Sequence, residues 1–139
     1  MVFPLRIEKL VGILEDKKLD ALIITSPPNI QYYLGVKTIA DSTLVFYLDK
    51  RGEKILYTPV LEYYRMRDSL KEVDVVAVSK SLELADGKQV KKSFDELIKD
   101  LGARHGRIGS DHKMSPIASK VIEAVSYTHL RAHETSLHL

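Results

Sequence analysis

The sequence predicts an α/β fold, a three-layer sandwich in which a mixed sheet carries helices on both faces. Three observations lead to this prediction. Stretches with apolar residues at helical spacing alternate with short, β-branched apolar runs, a β-hairpin lies among them, and the 139 residues are enough for one domain. Because an alternation of helices and strands is typical of sheets covered on both sides, helices are expected on each face.

The first part of the chain begins with a predicted helix from Leu5 to Lys18. The run from Ala21 to Thr25 is apolar and β-branched, as expected of a strand buried on both faces. A short helical stripe follows Ser26 and its prolines, and Gly35 is expected to end it in a left-handed conformation. The apolar stripe of the first helix consists of Ile7, Leu10, Val11 and Leu14.

The clearest local signal is a hairpin followed by a helix. Two strands are predicted, from Thr43 to Leu48 and from Lys54 to Tyr57, and Gly52 in the turn between them can take a positive φ. Thr58 is expected to cap the next helix, which would begin at Pro59 and run to about Ser69.

The rest of the chain is predicted to hold two further strands and two further helices. One strand runs from Val73 to Val78, a short strand with its exit turn is predicted from Gly106 to Asp111, and a loop is expected from Lys80 to Gln89. Between them, a capping box of Ser93 and Glu96 opens a helix that Gly102 is expected to close. The last predicted helix opens at Ser115 and Pro116 and carries Ile117, Val121 and Ile122.

Composition excludes several classes of protein. Hydrophobic residues make up 45% and charged residues 29% of the chain, as in soluble globular domains. The apolar runs are shorter than the roughly 20 residues of a membrane helix, and the first residues do not resemble a secretory signal, so a cytoplasmic location without membrane contact is expected. The absence of cysteine rules out disulfides, and a formal charge of +2 with interleaved acids argues against nucleic-acid binding.

The end of the chain raises the question of a metal site. His129 and His133 are four residues apart, so on a helix they would share one face with Glu134 beside them, as zinc-binding histidines do. However, this segment can be written in codons that resemble the adapter of transposase-based sequencing libraries. We therefore interpret residues 1–124 as the native domain and 125–139 as a non-native tail, which makes the histidine pair a coincidence.

Three stretches of the chain carry a resemblance to a known family. The sequences "NIQYYLG", "LYTPVLE" and "RIGSD" occur in the order found in the N-terminal domain shared by Xaa-Pro aminopeptidases, proline dipeptidases and creatinases, and the likeness covers about Leu5 to Ala124. Leu34 and Val36 depart from the family pattern, which leaves the subfamily open. The residues that match are Asn29, Tyr32, Gly35, Tyr57, Pro59, Leu61, Glu62, Ile108, Gly109 and Asp111.

The resemblance implies both a fold and a division of labour. It implies a mixed sheet of about five or six strands, likened to ribonuclease H. It also implies that hydrolysis belongs to a following pita-bread domain that holds two divalent metal ions, Mn, Co or Zn. This chain would then have no catalytic or metal-binding residue, and His105 and His112 are interpreted as solvated loop residues. The parent would be a metal-dependent Xaa-Pro peptidase that acts on proline-containing peptides.

The resemblance further implies that this domain has two partners, its own catalytic domain and a second subunit, and that it restricts access of substrates. Lys37 and Asp41 lie in the connection from Gly35 to Ser42 and are candidates for facing the substrate or partner. Tyr32 is a further candidate, because tyrosine is enriched at interfaces. A solvated connection without a role explains Lys37 and Asp41 equally well, and packing explains Tyr32.

Two alternative functions stay open. The chain could be a complete small-molecule-binding domain, although "GARHG" and "RGEK" lack the context of a glycine-rich phosphate loop. It could also be an assembly or ligand-binding domain of a creatinase-like relative without peptidase activity.

Overall fold

The computed structural model describes residues 4–37, 43–104, 106–111 and 128–129. The predicted alternation of helices and strands is confirmed within these ranges. In chain order the elements are α1 (Pro4–Lys17), β1 (Ala21–Ile24), α2 (Pro27–Leu34), β2 (Val45–Asp49), β3 (Lys54–Pro59), α3 (Val60–Ser69), β4 (Asp74–Val78), β5 (Gln89–Val90), α4 (Phe94–Arg104), β6 (Ile108–Ser110) and β7 (Thr128–His129).

The strands form one mixed sheet in the order β5-β4-β3-β2-β1-β6-β7. β2 pairs antiparallel with both β1 and β3, and every other neighbouring pair is parallel. β1 to β6 therefore make a six-stranded mixed sheet, as expected, and the two-residue β7 adds a seventh strand. β7 lies within segment 125–139, and the interpretation of that segment as a non-native tail stays a prediction.

Two apolar clusters on opposite faces of the sheet give the molecule its three layers. One cluster joins the stripe of α1 and the buried residues of α2 and α3 to alternate residues of the central strands, including Leu22, Phe46 and Leu56. The other joins Leu97, Ile98 and Leu101 of α4 to the opposite side of the same strands. Each alternate side chain along a strand points to the other face, which is why every residue of β1 is buried.

Three local predictions are confirmed by backbone and hydrogen-bond geometry. Gly35 ends α2 at φ 71°, and Gly52 has φ 89° in the hairpin turn. The Ser93 hydroxyl accepts from the N–H of Glu96 at 3.1 Å, while the Glu96 carboxylate accepts from the N–H of Ser93 at 2.9 Å. This reciprocal pair is the capping box that opens α4.

The start of α3 was expected one residue too early. Pro59 is the last residue of β3, where it pairs with Val78, and the helix begins at Val60. Thr58 does not cap the helix, because it is a fully buried strand residue and its hydroxyl has no hydrogen-bond partner in the described part of the chain. Proline has no N–H to donate, so the last residue of a strand tolerates it as well as the first turn of a helix does.

Further boundaries differ from prediction, and β2 begins at Val45 rather than at Thr43. Gly102 does not end α4; it is buried, and the helix continues to Arg104. Gln89, expected at the end of a loop, is the first residue of β5. The predicted last helix from Ser115, together with His105 and His112, lies outside the described residues. In the part of the chain that is described, no helix is long and apolar enough to cross a membrane.

Candidate functional site

The candidate site lies at the edge of the sheet where β1, β3, β4 and β6 end, which we call the carboxyl edge. Ligands of open α/β sheets bind outside this edge, where the connections of neighbouring strands diverge. Three residues that carry the family resemblance lie just beyond it: Asn29 after β1, Glu62 after β3 and Asp111 after β6. The chemistry of the edge therefore depends on what these polar side chains contact.

The carboxylate of Asp111 joins the end of β6 to the turn between β1 and α2. Its two oxygens accept hydrogen bonds from the N–H of Thr25 at 2.9 Å, the N–H of Ser26 at 3.3 Å and the side-chain amide of Asn29 at 2.7 Å. Only 6% of Asp111 is exposed, and Asn29 is also buried. A charge-assisted acceptor shared by three donors fixes the backbone path at this point.

This arrangement leaves little for a ligand at the start of α2. A helix N-terminus binds anions through its free N–H groups, but the first two helical residues here are Pro27 and Pro28, which have none. The N–H groups of Thr25 and Ser26 just before the helix are already bonded to Asp111. The protein's own carboxylate thus already accepts from the N–H groups that a bound anion would need at this point.

A second polar group connects α3 to the chain that leaves α2. The Glu62 carboxylate, which is 4% exposed, accepts from Nε of Arg65 at 2.9 Å and from Nη2 of the same guanidinium. Nη2 also donates to the carbonyl oxygen of Lys37 at 3.0 Å. Lys37 itself is exposed, two residues after the left-handed Gly35.

Tyr32 packs against the first helix. The Arg6 guanidinium carbon lies 4.1 Å above the centre of the Tyr32 ring, and Nη1 of Arg6 donates to the Tyr32 carbonyl at 2.7 Å. The neighbouring Tyr33 is fully buried, and burial, followed by the nearby Tyr32 and Asp111, raises the pKa of its phenol. Tyr33 is therefore neutral at physiological pH and is a packing residue.

Tyr32 and Lys37, the two candidate residues that the structure describes, are held by different partners. Tyr32 is half-buried and is held by Arg6, whereas the backbone of Lys37 is held by Arg65. Asp41 lies outside the described residues. The assignment of these residues to a substrate or partner stays a prediction.

The opposite edge of the sheet has an open cleft of about 460 Å³ lined by charged residues that include Asp20, Asp49 and Arg104. Asp20 accepts from Nζ of Lys50 at 2.9 Å and from the N–H groups of Gly106 and Arg107. The hydrogen bond from Lys50, helped by those from the backbone, lowers the pKa of Asp20. This carboxylate ties the starts of β1 and β6 together.

Asp49 has a similar role within the hairpin. It accepts from the hydroxyl of Tyr47 at 2.9 Å and from the N–H groups of Arg51 and Glu53 at 2.9 and 3.0 Å. Burial raises the pKa of Asp49, but the hydrogen bonds from Glu53, Tyr47 and Arg51 outweigh it and the net shift is downward. Asp20 and Asp49 therefore both hold the backbone in place.

The described residues do not fit a metal centre. Within ranges 4–37, 43–104 and 106–111, no three side chains of His, Asp or Glu are close enough to hold an ion. The buried carboxylates are bonded to amide, hydroxyl or guanidinium donors. A pair of catalytic metal ions would need other ligands.

Sequence reasoning missed the roles of Glu62, Arg65, Asp20 and Asp49. The spacing of Glu62 and Arg65 by three residues on a helix is a detectable signal of an ion pair. The buried state of Glu62 is not detectable, because it depends on how α3 packs on the sheet. The bonds of Asp20 to Gly106 and Arg107 join residues 86 and 87 positions apart, and no local pattern indicates them.

Comparisons with known proteins agree with this architecture. Residues 6–131 match the family described as Creatinase/Prolidase N-terminal domain. Prolidase from Pyrococcus furiosus is 21% identical with a TM-score of 0.68, over 94% of this chain and 37% of the prolidase chain. No curated protein matches the sequence.

Two shorter solved structures are similar over nearly their whole length. An aminopeptidase P, an Xaa-Pro aminopeptidase from Streptococcus thermophilus, is 18% identical with a TM-score of 0.63, over 96% of each chain. The N-terminal domain of a cytoplasmic peptidase from Mycobacterium tuberculosis is 16% identical with a TM-score of 0.67, over 95% of this chain and 97% of that one. At these identities the likeness establishes a shared fold.

Proposed function

The chain belongs to the family of creatinase/prolidase N-terminal domains, and from this membership we propose that it is the non-catalytic N-terminal domain of a metal-dependent Xaa-Pro peptidase, either an aminopeptidase P or a proline dipeptidase. In that parent it helps the dimer to assemble and restricts the access of substrates. The chain spans 37% of the prolidase from Pyrococcus furiosus, which leaves room in such a parent for a separate catalytic part.

The observation that carries the proposal is the use of the family-matching polar residues. Asn29, Glu62 and Asp111 lie where an α/β enzyme has its ligands, yet each is already hydrogen-bonded within the same chain. Such residues shape an edge and present no reactive group. The two divalent metal ions of the proposed parent, Mn, Co or Zn, would be held by residues outside the described part of this chain.

A domain that lines the entrance of the active site suits the proposed substrates. The bond before proline is a tertiary amide whose φ is fixed by the ring, so a dedicated pocket is needed to cleave it. A neighbouring domain that narrows the entrance excludes folded or long peptides and keeps water from the site. Lys37, Asp41 and Tyr32 are our candidates for facing the entrance or the second subunit.

We further propose that the parent is cytoplasmic. The domain from Mycobacterium tuberculosis that shares this fold comes from a peptidase described as cytoplasmic. The absence of cysteine is compatible with that compartment.

The test compares the 139-residue chain with the full-length parent protein that we propose. Both are purified and assayed with an Xaa-Pro dipeptide and with a peptide that has proline in second position, with and without added Mn²⁺, Co²⁺ or Zn²⁺. We expect cleavage by the longer protein only, dependent on metal. Cleavage by the 139-residue chain, with contaminating peptidases ruled out, would contradict the proposal.

The same assay distinguishes the proposed function from the alternative. If the longer protein binds no metal and cleaves neither substrate, the creatinase-like assembly or ligand-binding domain is the better description. The sequence beyond Ala124 gives an independent check, because a catalytic half needs spaced Asp, His and Glu residues as metal ligands.

A further inference from the structure

The ion pair between Glu62 and Arg65 does more than stabilise α3. A carboxylate that is 4% exposed is costly to bury unless its charge is compensated. Arg65 supplies two donors, Nε and Nη2, to the same oxygen of Glu62. This bonding fixes the plane of the guanidinium and therefore the direction of its remaining N–H groups.

The fixed guanidinium reaches a second segment. Its Nη2 donates at 3.0 Å to the carbonyl oxygen of Lys37, which lies 28 residues earlier in the chain. Lys37 follows Val36, which is buried, and Gly35, which has the left-handed conformation that turns the chain out of α2. The chain at Lys37 is therefore held from one side by packing and from the other by Arg65.

From this geometry we infer that Arg65 is a positioning residue for Lys37: it sets the direction in which the exposed Lys37 side chain leaves the carboxyl edge. The inference rests on the proposed function, in which Lys37 faces the entrance or the second subunit. Arginine is required because its planar fork serves Glu62 and the carbonyl together, whereas lysine supplies one compact charge.

The first experiment measures the backbone of Lys37 in the 139-residue chain. In Arg65→Lys, which retains a charge for Glu62, we expect the NMR order parameter of the Lys37 amide to fall from the rigid value of about 0.85 to below about 0.6. The double variant Glu62→Gln/Arg65→Gln removes both charges together, so that no unpaired charge is left buried, and we expect it to fold. Arg67→Gln is the matched control, because Arg67 is on the same helix with 45% of its side chain exposed, against 43% for Arg65, and stacks on Tyr64.

An unchanged order parameter in both Arg65 variants would overturn the inference. A fall in these variants with no change in Arg67→Gln would support it. This readout does not depend on activity, so it tests the contact even if the proposed function is wrong.

The second experiment uses the longer protein and an Xaa-Pro substrate. We expect Arg65→Lys and Lys37→Ala each to raise KM by roughly tenfold with little change in kcat, and the double variant to be no worse than either one, because the two residues act as a unit. If Lys37→Ala raises KM and Arg65→Lys does not, the positioning role is wrong while the function stands. If Lys37→Ala has no effect although Arg65→Lys loosens the backbone, the proposed role of Lys37 at the entrance is wrong.

Discussion

Buried carboxylates organise several hydrogen bonds in this chain: those of Asp111 join distant segments, whereas those of Asp49 and Glu62 are local. Asp49, Glu62 and Asp111 are each no more than 6% exposed, and each accepts several hydrogen bonds. A buried acid whose oxygens all accept hydrogen bonds orients the donor groups and stabilises the fold, whereas the same acid left unpaired costs several kcal/mol. Loss of a donor or of the acceptor should therefore lower the free energy of unfolding.

Replacing Asp111 tests this at the carboxyl edge. Asp111→Ala removes the acceptor for Thr25, Ser26 and Asn29, so we expect the free energy of unfolding to fall by about 2–3 kcal/mol. Asp111→Asn keeps one acceptor oxygen and should lose less. Urea unfolding of the two variants measures the difference, and equal stability of Asp111→Ala and the parent chain would show that the three bonds are dispensable.

The pH dependence of stability tests Asp49. Its pKa in the folded protein lies below the ordinary 3.8, because the bonds from Glu53, Tyr47 and Arg51 outweigh the effect of burial. The stabilisation is thus fully present above pH 3.8 and is lost as the pH falls through the lower folded-state pKa. We expect urea unfolding between about pH 6 and about pH 2.5 to show a shallower acid loss in Asp49→Asn than in the parent chain.

The control for this series is Asp68→Asn. Its carboxylate is 71% exposed and lies 3.8 Å from Arg67. Removal of such a surface charge should leave the acid profile within error of the parent. A profile for Asp49→Asn that also matches the parent would rule out the hairpin acid as a source of the pH dependence.

At the level of elements, the sequence predicted what local periodicity controls and missed what packing controls. The stripe of α1, the hairpin with Gly52 and the capping box of α4 are local patterns, and all are confirmed. The start of α3 was misplaced because proline suits both the first turn of a helix and the end of a strand. The continuation of α4 past Gly102 depends on burial of that glycine, which no local pattern shows.

The candidate site was less predictable than the fold for the same reason. The sequence indicates Lys37 by its place in a short connection and Tyr32 by the enrichment of tyrosine at interfaces, but their partners Arg6 and Arg65 come from two other helices. Side chains that meet across the fold leave no periodic signal. Only the family resemblance identified Glu62 and Asp111 as positions to examine, and it did not assign them these contacts.

The loop before β5 is held by Tyr63 of α3. A Cβ on Gly87, which has φ 128°, would lie 2.5 Å from the Tyr63 hydroxyl, the group that accepts from the N–H of Lys88 at 3.2 Å. We expect Gly87→Ala to lower the free energy of unfolding by about 1–3 kcal/mol in urea titrations.

The matched control is Gly12→Ala in α1. Apart from the backbone of α1 itself, a Cβ at Gly12 meets no atom of the described residues within 4 Å, so alanine should raise the free energy of unfolding by about 0.5–1 kcal/mol. Opposite signs for the two substitutions are the expected result. A neutral Gly87→Ala would mean that the loop yields to Tyr63 at no cost.

For the whole molecule, the exposed apolar side chains indicate where a partner could add. Leu61 is 88% exposed at the start of α3, directly beyond the carboxyl edge, and Leu82 is half-exposed in the loop after β4. Single exposed leucines are common on soluble proteins. Their position beside the candidate site makes them relevant to the proposed assembly.

We predict that the 139-residue chain self-associates and that Leu61 contributes to this. Leu61→Gln should shift the sedimentation profile towards monomer and weaken binding of a hydrophobic dye, since less apolar surface is available for burial. Leu5→Gln is the control, because Leu5 is 74% exposed in the first turn of α1. A monomer at every concentration, or equal effects of the two substitutions, would contradict the prediction.

The position of β1 between β2 and β6 determines when the sheet can be completed during synthesis. β2 is the next strand after β1 and is separated from it by α2, whereas Asp111, which bonds to Thr25 and directly follows β6, is 86 residues further on. A nascent chain leaving the ribosome must therefore keep one side of the apolar strand β1 unpaired until β6 has emerged. Substitutions that loosen the β1–β6 junction are accordingly expected to reduce the yield of folded protein in cells more than their effect on the finished domain would suggest.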